Sequence, residues 1–408
     1  MKDAFVRNPP FPKNYADEFL VLDHGKGSWV WDREGKRYLD FSSGIAVTAL
    51  GHGRRDLARI AARQMKKLTH VSNLFTTEPA LELANRLVTT GDRLGGRGFS
   101  AVHLGNSGTE ANEAAIKYAR VYALRTKGEG HHKLLSFTGA FHGRTLGSLS
   151  LTPTEKYQKP YHPLLPGVET APYNDLAALD RLNEGYAAVF LEPLQGEGGL
   201  DRISPAFAAK LQDLCHRYDI LIVADEIQCG MGRTGTFFAS EQLGLSPDIV
   251  TLAKPLAGGL PLSATLIPAK VNSIVHVGDH GTTFGGGPVT SAVANRMLDV
   301  ILNEKFLKSV QDKGKLFGDL LEGIRARTPL VREVKGMGLL RGLALNLNSG
   351  DNSTLSRVID AAQRHGLLIL RAGTNVLRLA PPLTVSPSEL KHGTELLSVV
   401  LSTLGSVP

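Results

Sequence analysis

The chain has 408 residues, 42% hydrophobic and 21% charged, with 44 glycines and a formal net charge of +7. That length predicts two or three domains, or one large enzyme with a smaller appendage, and no apolar run approaches the ~18 residues that would span a membrane. The positive charge is scattered, and its densest runs, at 53–67 and near 312, read as solvated helix faces. Nucleic acid is therefore not an expected partner, whereas anionic small molecules are.

The first 15 residues, MKDAFVRNPPFPKNY, hold no apolar core of a secretory leader and carry Asp3 and three prolines, so a cytoplasmic protein is expected. Short strands are predicted at GSWVWD (27–32) and KRYLDF (36–41), around a turn at 33–35. From about residue 80, strand and helix alternate. EPALELANRLVTTG (78–91) reads as a helix closed by Gly91, and SAVHLG (100–105) as a strand. The stretch 109–128 has small or apolar residues at 111, 114, 115, 118, 119 and 122, the period of a one-sided helix. Strands follow at 133–138, 187–194, 220–227 and 248–253, with a helix at 205–218 among them. A helix over about 288–304 leads into a C-terminal part containing GMGLLRGLAL (336–345), a helix at 356–366, strands at 367–370 and 376–380, and a final helix at 386–404. No internal repeat interrupts this order. Cys215 and Cys229 form no C-x-x-C, which fits a reducing compartment and supplies no metal site.

Alternation of strand and helix predicts an α/β fold with a mainly parallel sheet covered on both faces. The expected organisation is a large domain at 56–290, a smaller α/β domain at 291–408, and an N-terminal segment at 1–55 joining the small domain. Ligands of open α/β sheets sit beyond the carboxyl ends of the strands. That rule gathers 105–109, 141–144, 192–199, 225–228 and Lys254 at one rim.

Within that rim, Gly230 to Gly235 match G-x-G-x-x-G. A dinucleotide loop needs its glycines directly after a strand and at the opening of a helix. Here acids and further residues intervene, and TGTFFASEQLG is a poor helix start. Three other features point elsewhere. Lys254 follows an apolar run in DIVTLAKPLAGG, where partial desolvation would lower its pKa and make it an amine nucleophile. Asp225 ends the preceding strand, 29 residues earlier by numbering (254 − 225). GNSGTEANEAAIK (105–117) is a strand, a small-residue turn and a helix start whose free N–H groups favour a phosphate. Its plainer reading is an ordinary helix start capped by Thr109. Taken together, an aldehyde-capturing lysine, a strand-end acid and a phosphate cradle suit one cofactor, pyridoxal 5′-phosphate.

The segments SSGIAVTALGH, SNLFTTEP, GNSGTEANEAAIKYAR, FHGRTLGSLS, EPLQGEGG, DEIQCGMGRTG, LAKPLAGG, GDHGTTFGG and NVLRLAPPL, in this order, resemble the class III (fold type I) pyridoxal-phosphate aminotransferases, most closely the acetylornithine type. The resemblance implies that Lys254 holds the cofactor and then shuttles a proton, and that Asp225 faces its pyridine nitrogen. Gln228 would reach the ring hydroxyl, Phe141 would stack on the ring, and His142 would belong to the same cofactor shell. Ser107, Gly108 and Thr109 would hold the phosphate, with Thr283 reaching the phosphate of the neighbouring subunit in a homodimer. Arg378 would take the α-carboxylate of 2-oxoglutarate and Arg144 the distal one, with Glu197 masking Arg378 while the amino donor is bound. Glu226 would secure the local loop.

Ile45 stands where ornithine δ-aminotransferases have a tyrosine, and an aliphatic residue suits an acylated α-nitrogen. Thr76, Cys229, Gly287 and the LAKPLAGG segment depart from the common pattern without removing a catalytic group. The implied reaction is transfer of the δ-amino group of N2-acetylornithine to 2-oxoglutarate, giving N-acetylglutamate 5-semialdehyde and glutamate. Ornithine, succinylornithine, acetyl-lysine and 4-aminobutyrate remain alternative donors.

Overall fold

Seven short strands build the central sheet of the structure, a computed structural model that describes residues 4–15, 18–347, 351 and 353–405. Asp3 lies outside the described residues. The strands are β1 (Phe99–Gly105), β2 (Lys133–Phe137), β3 (Val168–Ala171), β4 (Tyr186–Leu191), β5 (Leu221–Asp225), β6 (Ile249–Leu252) and β7 (Ser263–Pro268), in the spatial order β1-β7-β6-β5-β4-β2-β3. Neighbours from β6 through β3 pair in parallel, whereas β7 runs antiparallel to both β6 and β1. Every residue of β4, β5 and β6 is buried, as the two-sided burial of parallel strands requires. The expected α/β architecture with a mainly parallel sheet is what the chain forms. Two strands of this sheet are missing from the sequence reading: β3, only four residues long, and β7, which follows a glycine pair and Pro261 and ends on Pro268, so that it reads as a loop.

After β1 the chain enters α1 (Gly108–Lys127), whose expected stripe at 111, 114, 115, 118, 119 and 122 is buried. Its N-cap is Ser107, in a reciprocal box with Glu110, and not Thr109. The helix Glu78–Gly91 does end at Gly91 as expected, but not by a glycine cap. Gly91 keeps helical dihedrals (φ −58°), and the turn continues through Asp92–Leu94 to Gly95, at φ 80°. The glycine at 91 is a packing requirement, because a Cβ there would lie 2.5 Å from the Phe99 ring.

The two chain ends share a layer. Arg37–Asp40 pairs in parallel with Leu367–Leu368 and antiparallel with Trp29–Asp32, and Leu39 and Phe41 pack in one cluster with Phe317, Leu343, Leu379 and Leu397. Val331–Met337, Leu340–Leu345, Val376–Leu379 and Leu370–Ala372 form a four-stranded antiparallel sheet beside it. The expected boundary at 290 falls inside the helix Pro288–Ile301. The buried Val293, Met297 and Leu298 of that helix pack with Leu83, Phe237 and Leu252 on the central-sheet side. Among the described residues no helix is long and apolar enough to cross a membrane.

Ser43, Gly44, Ile45 and Ala46 form a left-handed turn, with φ of 47°, 59°, 65° and 63°. For the three non-glycine residues this conformation costs about 1–2 kcal/mol each, and polar contacts hold it. Asp40 Oδ1 accepts from the backbone N–H groups of Ser42 and Ser43 and from the Ser42 hydroxyl, Asp40 Oδ2 meets His52 Nε2 at 2.8 Å, and the Ser43 hydroxyl donates to the Ala380 carbonyl.

Candidate active site

The carboxyl ends of the parallel strands open onto a cavity of 370 Å³, lined by residues of 106–109, 141–144, 225–228 and 259–262, together with Glu192, Glu197 and Lys254. Lys254 follows β6, and its amine has no hydrogen bond or ion pair among the described residues. Burial pushes its pKa below the usual lysine range, opposed by the negative charges of Glu197 and Asp225. An amine in this state is a usable nucleophile and base.

Asp225, the last residue of β5, is buried and held by three partners. Its Oδ2 accepts from Asn112 Nδ2 and faces His142 Nδ1, both at 2.8 Å, and its Oδ1 accepts from the Ile227 N–H at 3.1 Å. Asn112 also donates to the His142 carbonyl at 2.7 Å and accepts from the Thr251 hydroxyl at 3.0 Å. Asn112 and Thr251 are positions the sequence reading missed, and Glu192 it placed at the rim without a role. Asn112 had a legible signal, an amide one helical turn into the buried stripe of α1. Glu192 accepts from the N–H groups of Phe141 (2.9 Å) and Gly196 (2.8 Å), tying together two loops of the rim. Burial, reinforced by the charge of Asp225, pushes its pKa up to about 7.

Glu226 points away from the cavity. Fully buried, it accepts from the N–H groups of Ala239 and Ser240 and from the Ser240 hydroxyl, the loop-securing role expected of it.

Arg378, buried on Val376–Leu379, donates to the Gly196 carbonyl at 2.8 Å and to Gln228 Oε1 at 3.1 Å, and forms an ion pair with Glu197. Gln228 donates to the same Glu197 oxygen at 3.4 Å. Arg144 is exposed at the mouth, its guanidinium 3.6 Å from the ring centroid of Tyr157 and 5.4 Å from that of Phe141. Ser107, Gly108 and Thr109 meet the cavity at the start of α1, where Thr109 Oγ1 lies 2.7 Å from Thr145 Oγ1.

Three expected residues do not line this cavity: Arg378 is buried against Glu197, which does line it, and Ile45 and Thr283 lie elsewhere. Ile45 is turned outward by the left-handed turn, and Val47 lines the cavity in its place. Thr283 lines a separate small cleft with 70–73, 75–77 and 285–288.

The residues present fit pyridoxal 5′-phosphate. A Cβ on Gly108 would lie 2.9 Å from two Ile227 carbons, so only a bare backbone passes there at the helix start. An unpartnered amine stands on one side of the cavity and a buried carboxylate at its floor, and the buried His142 Nε2 has no partner among the described residues. Lys254 would bind the aldehyde, 107–109 the phosphate, and Asp225 the pyridine nitrogen.

Residues 11–401 match the family model described as aminotransferase class-III. The chain is 42% identical over 411 residues to the mitochondrial acetylornithine aminotransferase of Debaryomyces hansenii, covering 99% of this chain and 87% of that protein. It is 44% identical over 383 residues to the acetylornithine aminotransferase of Xanthomonas axonopodis pv. citri, covering 93% and 92%. Among solved structures, the N-acetylornithine aminotransferase of Stenotrophomonas maltophilia superposes with a TM-score of 0.81 at 34% identity, covering 96% of this chain and 97% of that one. The ornithine aminotransferase of Toxoplasma gondii does so with 0.90 at 30% identity, covering 97% and 93%. Likeness of this extent in sequence and fold, around a lysine and an aspartate placed for the cofactor, means that the chain belongs to the class-III aminotransferases, pyridoxal-phosphate-dependent transaminases.

Proposed function

We propose that this enzyme transfers the δ-amino group of N2-acetylornithine to 2-oxoglutarate, giving N-acetylglutamate 5-semialdehyde and glutamate, a step of arginine biosynthesis. The observation that carries the reading is the Glu197–Arg378 ion pair beside Lys254. A δ-amine donor presents no carboxylate at its reacting carbon, so an arginine meant for the α-carboxylate of an oxo acid would stand idle and unpaired. Glu197, a third exposed against 4% for Arg378, is the partner free to withdraw. Curated relatives above 40% identity named for acetylornithine support the same donor.

Bound in the cavity, pyridoxal phosphate supplies an electrophilic aldehyde and an electron sink. Lys254 Nζ, held below its usual pKa, takes the proton from the donor's δ-carbon and returns it on the cofactor side. Asp225, fixed by Asn112 and His142, would hold the ring nitrogen. Arg378 and Arg144 each hold one carboxylate of 2-oxoglutarate, for which the planar guanidinium offers two parallel donors. Phe141 offers an apolar face to the ring.

A homodimer is part of this proposal. Leu74, Phe75 and Phe284 are exposed by 89%, 73% and 68% around the cleft that holds Thr283, and a second copy would cover them. Packing also favours dividing the chain after Ile301, with the N-terminal strands on the C-terminal side. The buried free thiols of Cys215 and Cys229 suit a reducing compartment such as the cytoplasm.

The test is the visible absorption of the purified enzyme with its cofactor, followed as N2-acetylornithine, ornithine or 4-aminobutyrate is added without oxo acid. The band is expected to fall with N2-acetylornithine and return on adding 2-oxoglutarate. A stronger response to either other amine would overturn the donor, and no band even with added pyridoxal phosphate would overturn the role of Lys254.

A further inference from the structure

The glycine pattern at 230–235 closes a loop around one unusual side chain. Arg233 is 1% exposed and forms no ion pair among the described residues, although the charge of Asp40 acts on it. Its Nη1 donates to the carbonyls of Leu339 (3.3 Å) and Pro381, while its Nη2 has no partner among the described residues. Burial lowers its pKa to about 9. A guanidinium in such a place is costly, so what it touches matters.

The two carbonyls lie just outside the ends of adjacent strands, Leu339 directly before Leu340–Leu345 and Pro381 shortly after Val376–Leu379. Leu340–Leu345 and Val376–Leu379 pair antiparallel, with Arg341 opposite Leu379 and Gly342 opposite Arg378. Two steps beyond the first of these pairs, the same register sets 339 against 381. Arg233 thus bridges the ladder where it ends, three residues from Arg378 by numbering (381 − 378).

The backbone repeats the clasp. The Leu339 N–H donates to the Arg233 carbonyl at 3.0 Å. Gly338, at φ 54°, passes so close that a Cβ would lie 2.6 Å from the Thr234 carbonyl carbon, and Gly235 lies under Gln311, whose amide donates to its carbonyl. The loop leaving the cofactor side of the molecule therefore grips the sheet that carries the substrate arginine.

We infer that Arg233 is a positioning residue for Arg378: by holding the 339 and 381 carbonyls together it fixes where the Arg378 guanidinium meets the α-carboxylate of the oxo acid. The inference rests on the reading that Arg378 binds that carboxylate. It predicts an asymmetry, because the donor half-reaction makes no use of Arg378 whereas the oxo-acid half-reaction depends on it.

The experiment uses the cofactor-loaded enzyme and its Arg233→Lys, Arg233→Met and Gly338→Ala variants, with the two half-reactions followed separately by the visible band. Where they fold, Arg233→Met and Gly338→Ala are expected to raise KM for 2-oxoglutarate about tenfold, since small misplacements of a binding group are costly. The half-reaction with N2-acetylornithine should stay within about twofold of wild type. Arg233→Lys, which keeps the charge and reaches one carbonyl, should lie between wild type and Arg233→Met.

Gly338→Ala loosens the clasp by pressing on the 233–234 backbone while leaving the Arg233 side chain unaltered, so the prediction is readable even where Arg233→Met does not fold. Equal losses in both half-reactions, or an unchanged KM for 2-oxoglutarate in a folded variant, would overturn the inference. Arg378→Gln is the control. If it leaves that KM unchanged, the assignment of Arg378 itself is wrong; if it raises the KM while the Arg233 variants do not, only the positioning role is lost.

Discussion

Asn112 and Asp225 are joined by one buried hydrogen bond, from amide Nδ2 to carboxylate Oδ2, at 2.8 Å. The same amide group holds the His142 carbonyl and receives the Thr251 hydroxyl, so one side chain ties α1, the 141–144 loop, β5 and β6 together. Asn112→Leu keeps the volume and removes every one of these bonds. It should cost about 1–3 kcal/mol in unfolding free energy and let the cofactor escape faster on dialysis. Thermal unfolding and the decay of the visible band measure the two effects, and wild-type retention of the cofactor would count against a role for Asn112 at the site.

Lys254→Met should abolish turnover while making the cofactor-free protein more stable at neutral pH. Burial lowers the folded pKa of this amine below its ordinary 10.5. Between the two values the unfolded chain binds more protons than the folded one, so wild-type stability rises with pH across that window. The advantage of Lys254→Met should therefore shrink as pH climbs toward 10.5. Melting temperatures of both cofactor-free proteins from pH 7 to pH 10 test this, and a constant difference would contradict it.

Glu192 gives the opposite sign. Its folded pKa of about 7 stands above its ordinary 4.5, so between these values the folded state holds the extra proton and stability falls as pH rises. Glu192→Gln cannot titrate, and it leaves the Phe141 or the Gly196 N–H without an acceptor, at about 1–3 kcal/mol. The variant should be clearly less stable than wild type at pH 5 and close much of the gap by pH 8. Denaturant titrations at the two pH values decide it; a gap that widens would show the sign to be wrong.

Tyr157 should prove a specificity residue acting through Arg144, whose guanidinium rests on its ring. A partly exposed contact of this kind contributes about 0.5–1 kcal/mol. Tyr157→Leu should thus raise KM for 2-oxoglutarate by roughly twofold to fivefold, while Tyr157→Phe stays near wild type. Steady-state kinetics with 2-oxoglutarate varied would separate the two, and equal effects would assign the contribution to the hydroxyl.

The chemistry at strand ends was legible because its signal is local. Lys254, Asp225 and the 107–109 turn each follow an apolar run, and the sheet collects such positions at one rim. The strand-end rule reached the segments of Glu197 and Gln228 but not their roles, and Arg378 came from resemblance alone, since nothing in their neighbourhood announces that segments 150 to 181 residues apart will meet. Ile45 illustrates a different limit. Its position in the chain is beside the site, but four successive residues at positive φ rotate its side chain away, and no propensity favours an isoleucine there. Arg233 was hidden by its own motif: the spacing drew attention to the glycines, while the part that matters is the cation between them. Strand β7 was lost because its prolines read as boundaries.

The pairing of Arg37–Asp40 with Leu367–Leu368 sets an order of events during synthesis. Leu39 meets Leu367, 328 residues later by numbering (367 − 39). At ribosomal speeds of about 5–20 residues per second, the first strands wait roughly 15–65 s for their partner to emerge. Through that interval Leu39, Phe41 and the costly turn at 43–46 have neither the sheet nor the cluster that later shelters them. The central sheet, whose strands span 99–268, can assemble meanwhile. The nascent enzyme therefore carries a sticky, unmatched leader strip until its last tenth is made, and that strip is where a chaperone would find most to hold.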